Sequence, residues 1–204
     1  MELMLTIALA ALIIGITVPT FIGINRGASA RQANNLVYAH LKQAQQKAAV
    51  TRQRVGFYVV TQLIDANNPW VSANMVNRSY FLYASDTPGV AKAESFITSI
   101  QTLPAPMMFD FSGSATASDT TIPTVTLVNP TTGAQYFKVR GFRFAPAGGL
   151  HPEDLDAASG SSYKFKIVIA EGLAAAGGTY SLKTGNVIRY TNIVNGFTGR
   201  VTSQ

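Results

Sequence analysis

Residues 25–54 read NRGASARQANNLVYAHLKQAQQKAAVTRQR and residues 55–63 read VGFYVVTQL, and the fold turns on the change of period between them. In the first stretch Ala33, Leu36, Val37, His40, Leu41, Ala44 and Ala48 recur at spacings of three and four, while Arg31, Lys42, Lys47 and Arg52 fall mostly off that stripe. This is the pattern of an amphipathic helix. Its alanines leave room for close approach to a sheet. From Val55 onward the apolar residues are β-branched or aromatic and arrive in short runs, as strands do.

Upstream, Glu2 is followed by 23 residues without a charge, Leu3 to Asn25. About 20 apolar residues at about 1.5 Å each match a hydrocarbon core of about 30 Å. Residues 1–24 are therefore expected to form a membrane helix continuous with the amphipathic one. A removed secretory signal would carry a basic start, a shorter apolar run and a small-x-small cleavage site. Gly15, Pro19 and Gly23 interrupt the run, and a kink or melted turn is expected around Gly15–Pro19. No Lys or Arg precedes the span and Arg26 and Arg31 follow it, so the positive-inside rule would leave the rest in the cytoplasm. A basic leader ahead of Met1 would reverse that orientation.

Downstream, ten short runs read as antiparallel strands: VGFYVVTQL, RSYFLYAS, SFITSI, MMFDFSG, TIPTVTLVN, QYFKVRGFRFA, YKFKIVIAEG, GTYSLKTG, NVIRYTNIV and TGRVTS. YSLKTGNVIRY suggests a hairpin turning at Thr184-Gly185-Asn186. Asp65–Ser79 and Ala145–Ser162 read as loops. The expected fold class is α+β: a long N-terminal α-helix, with a transmembrane half and an amphipathic half, packed on an antiparallel β-sandwich-like head. The division falls at 1–54 for the helix and 55–204 for the head, with 1–24 as membrane or filament-core segment.

The chain has 204 residues, 47% of them hydrophobic and 13% charged, so it can bury a real core. It has no cysteine, which excludes a disulfide framework and thiolate metal sites. The net charge of +6 comes from one segment. Residues 26–54 carry Arg26, Arg31, Lys42, Lys47, Arg52 and Arg54 with no acid, and the stretch after 54 has ten basic and nine acidic residues. That distribution does not make a diffuse basic surface.

The N-terminal residues resemble the type IV pilin and pseudopilin superfamily. Glu2-Leu3-Met4, the uncharged run after it, and Pro19 match that family over about the first 50 residues. Within it the head is most similar to the GspH/FimT group: QAQQKAAVTRQRVGFYV matches the helix running into a first strand, Phe144, Pro146 and Gly148 match an F-x-P-x-G element, and Thr198-Gly199-Arg200-Val201 matches T-G-R-V. The resemblance implies the pilin fold and a structural subunit of a type IV pilus-like extracellular filament. The alternative it implies is a minor pseudopilin of a type II secretion or DNA-uptake machine. The chain would sit in the bacterial inner membrane by a single pass before assembly, and afterwards in an extracellular filament or periplasmic pseudopilus. Its partners would be copies of itself, other pilins, and a prepilin peptidase if a leader exists.

The resemblance also implies an assembly set: Glu2, Leu3, Leu5, Leu9, Leu12, Ile16 and Pro19, with Glu2 neutralising the N-terminal amine of an adjacent subunit. A lone carboxylate in apolar surroundings is costly, and pairing with an ammonium relieves it. The other reading is an interfacial glutamate reaching headgroups. Some members of the resembled group bind DNA through a C-terminal G-R-x-R stretch. Here Gly199-Arg200-Val201-Thr202 lacks the second arginine, which leaves Arg200, Lys138, Arg140 and Arg143 as candidate DNA contacts.

No enzyme is expected, and no cofactor or metal: there are two histidines, no H-E-x-x-H and no glycine-rich phosphate loop. His40 reads as a packed helix histidine. His151-Pro152-Glu153-Asp154-Leu155-Asp156 reads as a one-turn helix start, with a hard-cation site as the alternative. Asn77-Arg78-Ser79 is an N-x-S sequon and SGSATASDTT a candidate for O-linked sugar, both more simply surface loops.

Overall fold

The computed structural model describes residues 2–65, 71–84, 96–111, 124–128, 135–151, 164–174, 180–185 and 187–204, without the side chains of 2, 3, 5, 8, 16–26, 124–128, 135, 174 and 180. Helix α1 spans Glu2–Thr51, 50 residues. The helix is unbroken through Gly15 and Pro19, so the melted turn expected there is absent. A proline removes one intrahelical hydrogen bond, and the turns on either side can keep theirs. Past its end, Arg52 takes a left-handed φ of 55° and β1 begins at Val55.

The strands are β1 (Val55–Leu63), β2 (Ser79–Ala84), β3 (Gln101–Thr102), β4 (Met107–Asp110), β5 (Thr124–Val128), β6 (Gln135–Phe144), β7 (Lys164–Ala174), β8 (Tyr180–Leu182), β9 (Arg189–Asn195) and β10 (Val201–Ser203). Sheet 1 has the order β3-β2-β1-β6-β5 and sheet 2 the order β10-β9-β7-β4, with β8 also on β7. The pairings are antiparallel. The expected hairpin is not formed: β8 joins β7 at 172–174, β9 joins β7 at 164–170, and Asn186 lies outside the described residues. SFITSI contributes one bridge, Phe96 to Tyr83, in place of a strand.

The architecture corrects the expected fold class. Among the described residues the structure is mostly antiparallel β in two sheets, with one N-terminal helix and a single 3-10 turn at Ala73–Met75, not a half-transmembrane helix laid on a head. The physical reason lies in the helix face. Ala30, Ala33, Val37, Leu41, Ala44 and Ala48 are fully buried and belong to one core with Val55, Phe57, Val59, Phe142 and Phe144 of sheet 1 and Phe109, Phe165, Ile167, Ile169 and Val194 of sheet 2. The small side chains let the helix axis come close, so it is an internal member of the β core.

Among the described residues, no helix is long and apolar enough to cross a membrane, which overturns the single-pass inner-membrane placement.

Sheet 1 is buried on both faces. Tyr58, Val60, Phe81, Tyr83, Phe137 and Val139 form a second cluster behind it, under Val71, Met75 and Phe96. This is why VGFYVVTQL is almost continuously apolar where a half-solvated strand would alternate. In β7 the alternation is regular: Phe165, Ile167 and Ile169 are buried, and Lys164, Lys166 and Val168 are more open.

Candidate assembly surface

The face that most needs a partner is the N-terminal half of α1. Met4, Ile7, Leu9, Leu12, Ile13 and Ile14 are 52–81% exposed. At about 100° per residue these positions fall all around the axis, with no polar face between them. Leu9 and Leu12 of the expected assembly set are on this surface. Glu2, Leu3, Leu5, Ile16 and Pro19 lie in the helical backbone, but their side chains lie outside the described residues.

The C-terminal half of the helix is held by polar as well as apolar contacts. Asn192 of β9, fully buried, donates from Nδ2 to Asn34 Oδ1 at 2.9 Å, and Asn34 donates from Nδ2 to Ser203 Oγ of β10 at 2.8 Å. This chain of amides sets the helix's register against β9 and β10, because a buried amide shifted by a turn would lose its partner. Sequence patterning does not single out Asn34. The available signal is a polar side chain between Ala33 and Val37, on an otherwise apolar face.

A second clamp joins the two short head motifs. Gln45 Nε2 lies 3.3 Å from both the Gly148 and the Thr198 carbonyl oxygens. Leu150 N–H donates to Gly196 O at 2.7 Å, so the turn after β6 rests on the turn after β9. Asn195 Oδ1 accepts from the Phe197 and Thr198 N–H groups at 3.1 and 3.0 Å, shaping that second turn. Gly199 has φ +65°, and a Cβ there would sit 2.0 Å from Gly148 O. F-x-P-x-G and T-G-R-V are thus two halves of one packed corner, with Phe197 exposed at its tip.

His40 is half-buried, with Nδ1 at 2.8 Å from Leu36 O and 3.2 Å from Tyr80 Oη, its ring edge-on to Tyr80. This is the packed histidine the sequence suggested. Burial pushes the Tyr80 phenol up to about 12.

The four candidate DNA contacts are not brought into one stripe. Arg200 is exposed beside the motif corner. Lys138 and Arg140 are half-buried on the face of β6 that carries Phe142 and Phe144, while the buried Arg143 falls on the opposite face by strand alternation. In the Asn77-Arg78-Ser79 sequon, Ser79 is fully buried in β2 with Oγ 3.2 Å from Thr102 Oγ1. Asn77, the residue such a sequon would modify, is half-buried. SGSATASDTT and residues 152–156 of the acidic patch lie outside the described residues; His151 is buried and donates its N–H to Arg143 O at 2.8 Å.

Comparison of the chain with family models, curated proteins and solved structures gives no match.

Proposed function

We propose that this chain is the structural subunit of a pilus-like filament that assembles through its N-terminal helix, in the manner of the type IV pilins its first residues resemble. The observation that carries the reading is the ring of exposed Met4, Ile7, Leu9, Leu12, Ile13 and Ile14 on a helix whose other half is locked into the core. A helix apolar all around needs neighbours on every side, and copies of the same helix supply them. At about 1.5–3 kcal/mol for each large apolar side chain removed from water, six of them offer on the order of 10 kcal/mol per subunit. That is commensurate with the roughly 4–15 kcal/mol that association costs in lost freedom. Glu2, by the same resemblance, sets axial register by meeting the amine of a neighbour.

The test compares the full chain with a Leu9→Asp/Leu12→Asp variant by negative-stain electron microscopy and sedimentation. The expected outcome is ordered filaments for the parent, and for the variant a monomer with an unchanged unfolding midpoint. Filaments of equal length and number from the variant would overturn the proposal.

A second reading, a minor pseudopilin of the GspH/FimT type, is favoured by the packing of F-x-P-x-G against T-G-R-V around Gly199. Mass spectrometry of sheared filaments separates the two: a major subunit dominates the preparation, and a minor one is a trace component.

A further inference from the structure

The structure assigns a binding site for a small anionic sugar, a sugar acid or sugar phosphate, to the cleft where the two sheets part at the end of the core. Independent of the filament reading, the cleft has a volume of about 400 Å³ and is lined by Thr61, Gln62, Asn77, Phe111, Lys138 and Arg140. Among the described residues, two cations line it and no acid does. Among the described residues neither Lys138 nor Arg140 is in a salt bridge. Both are half-buried, so their charges are less screened than those of a solvated surface pair.

Arg140 is held in place. The Arg140 guanidinium lies over the Phe111 ring, 5.3 Å from its centroid, and Phe111 is itself stacked at 6.3 Å and 20° on the buried Phe109. A guanidinium over a ring keeps N–H groups to donate, and its planar fork can receive a carboxylate or phosphate in two parallel hydrogen bonds. Lys138, two residues along the same face of β6, adds a second charge.

Asn77 supplies an independent sign that the cleft is built. It holds a left-handed φ of 57°, its N–H donating to Val60 O of β1 and its carbonyl accepting from Phe109 N–H of β4, both at 2.7 Å. With its backbone tying one sheet to the other, its side-chain amide is left without a hydrogen bond among the described residues, as is that of Gln62. Backbone strain of this kind collects at ligand sites. The amides and the Thr61 hydroxyl suit the hydroxyls of a sugar body, and the two cations suit its acidic group. The volume holds one or two sugar rings, and an anion recessed between sheets is reached by a small molecule more readily than by a duplex backbone.

The test is calorimetric and NMR titration of the full chain at fixed ionic strength with glucuronate, glucose 6-phosphate, inorganic phosphate and, as the neutral control, glucose. Saturable binding of glucuronate or glucose 6-phosphate is expected, with glucose binding at least about tenfold more weakly. The stronger of the two identifies the acid as carboxylate or phosphate. Arg140→Gln and Lys138→Gln should each weaken it about tenfold or more, while Arg200→Gln leaves it unchanged. If Arg140→Gln does not fold, Lys138→Gln decides. The assignment is overturned if no sugar anion saturates by about 10 mM, if glucose or inorganic phosphate alone binds as well, or if Lys138→Gln binds as the parent does.

Discussion

Replacing Gly199 by alanine measures how tightly the motif corner is closed. The residue sits at φ +65°, where an L side chain is disfavoured, and its new Cβ would lie 2.0 Å from Gly148 O and 2.9 Å from Gln45 Nε2. The conformational part costs about 1 kcal/mol. The steric part cannot be absorbed by a side chain, since the nearest atom is a backbone oxygen; the turn after β6 must move. That movement weakens the 2.7 Å Leu150 to Gly196 hydrogen bond and the two 3.3 Å contacts of Gln45. At about 1 kcal/mol for the short bond and less for each long one, the total reaches about 3 kcal/mol. For a chain of this size that corresponds to roughly 6–12 °C in the unfolding midpoint. Gly185 is the internal control, at φ +98° with nothing within 4 Å of where a methyl group would sit, so Gly185→Ala should cost only about 1 kcal/mol. Urea denaturation followed by far-UV circular dichroism gives both numbers. Equal destabilisation of the two variants would refute the closed corner and leave only a backbone preference.

Asn34→Ala should destabilise by about 1–3 kcal/mol, because it strands the Asn192 amide in a fully buried position, whereas Ser203→Ala at the exposed end of the same chain should cost under about 1 kcal/mol. Denaturant titration that ranks the two the other way would show that the amides do not set the register. The Tyr80 phenol, raised to about 12 in the fold, keeps a proton that the unfolded chain loses near pH 10. Its stabilising effect is therefore complete below about pH 10 and is lost as pH rises toward 12, up to about 2 kcal/mol. In thermal unfolding the parent's advantage over Tyr80→Phe should shrink between pH 9 and 11.5 on the order of that loss, and a constant difference would refute it.

The local elements are legible in the sequence where burial is one-sided or complete. Ala33, Val37, Leu41, Ala44 and Ala48 carry their helical face openly, and VGFYVVTQL coincides with β1 because both of its faces are buried. Pairing is less legible. Thr184-Gly185-Asn186 has the composition of a hairpin turn, but β8 and β9 both find β7, and a local turn signal cannot report that a longer strand competes for the same edges. Lys138 and Arg140 alternate along β6 with the buried Phe137 and Val139, which puts the two cations on one face. Alternation assigns a face, yet it does not say that the face lies inside a sandwich at its open end. The expected fold class fails for a related reason: the apolar count in residues 3–25 has the length of a membrane span, and length carries no information on what covers it.

The junction between α1 and β1 has a mechanical consequence. Only residues 52–54 separate the end of the helix from a strand that lies at the centre of its sheet, hydrogen-bonded to β2 on one side and β6 on the other. A pull along the helix is transmitted to β1 lengthwise, so two ladders are loaded in shear together. An edge strand pulled from its end would instead peel one bond at a time. With the helix also clamped through Asn34 and Gln45, tension has three routes into the fold, and the centre of the sheet bears it.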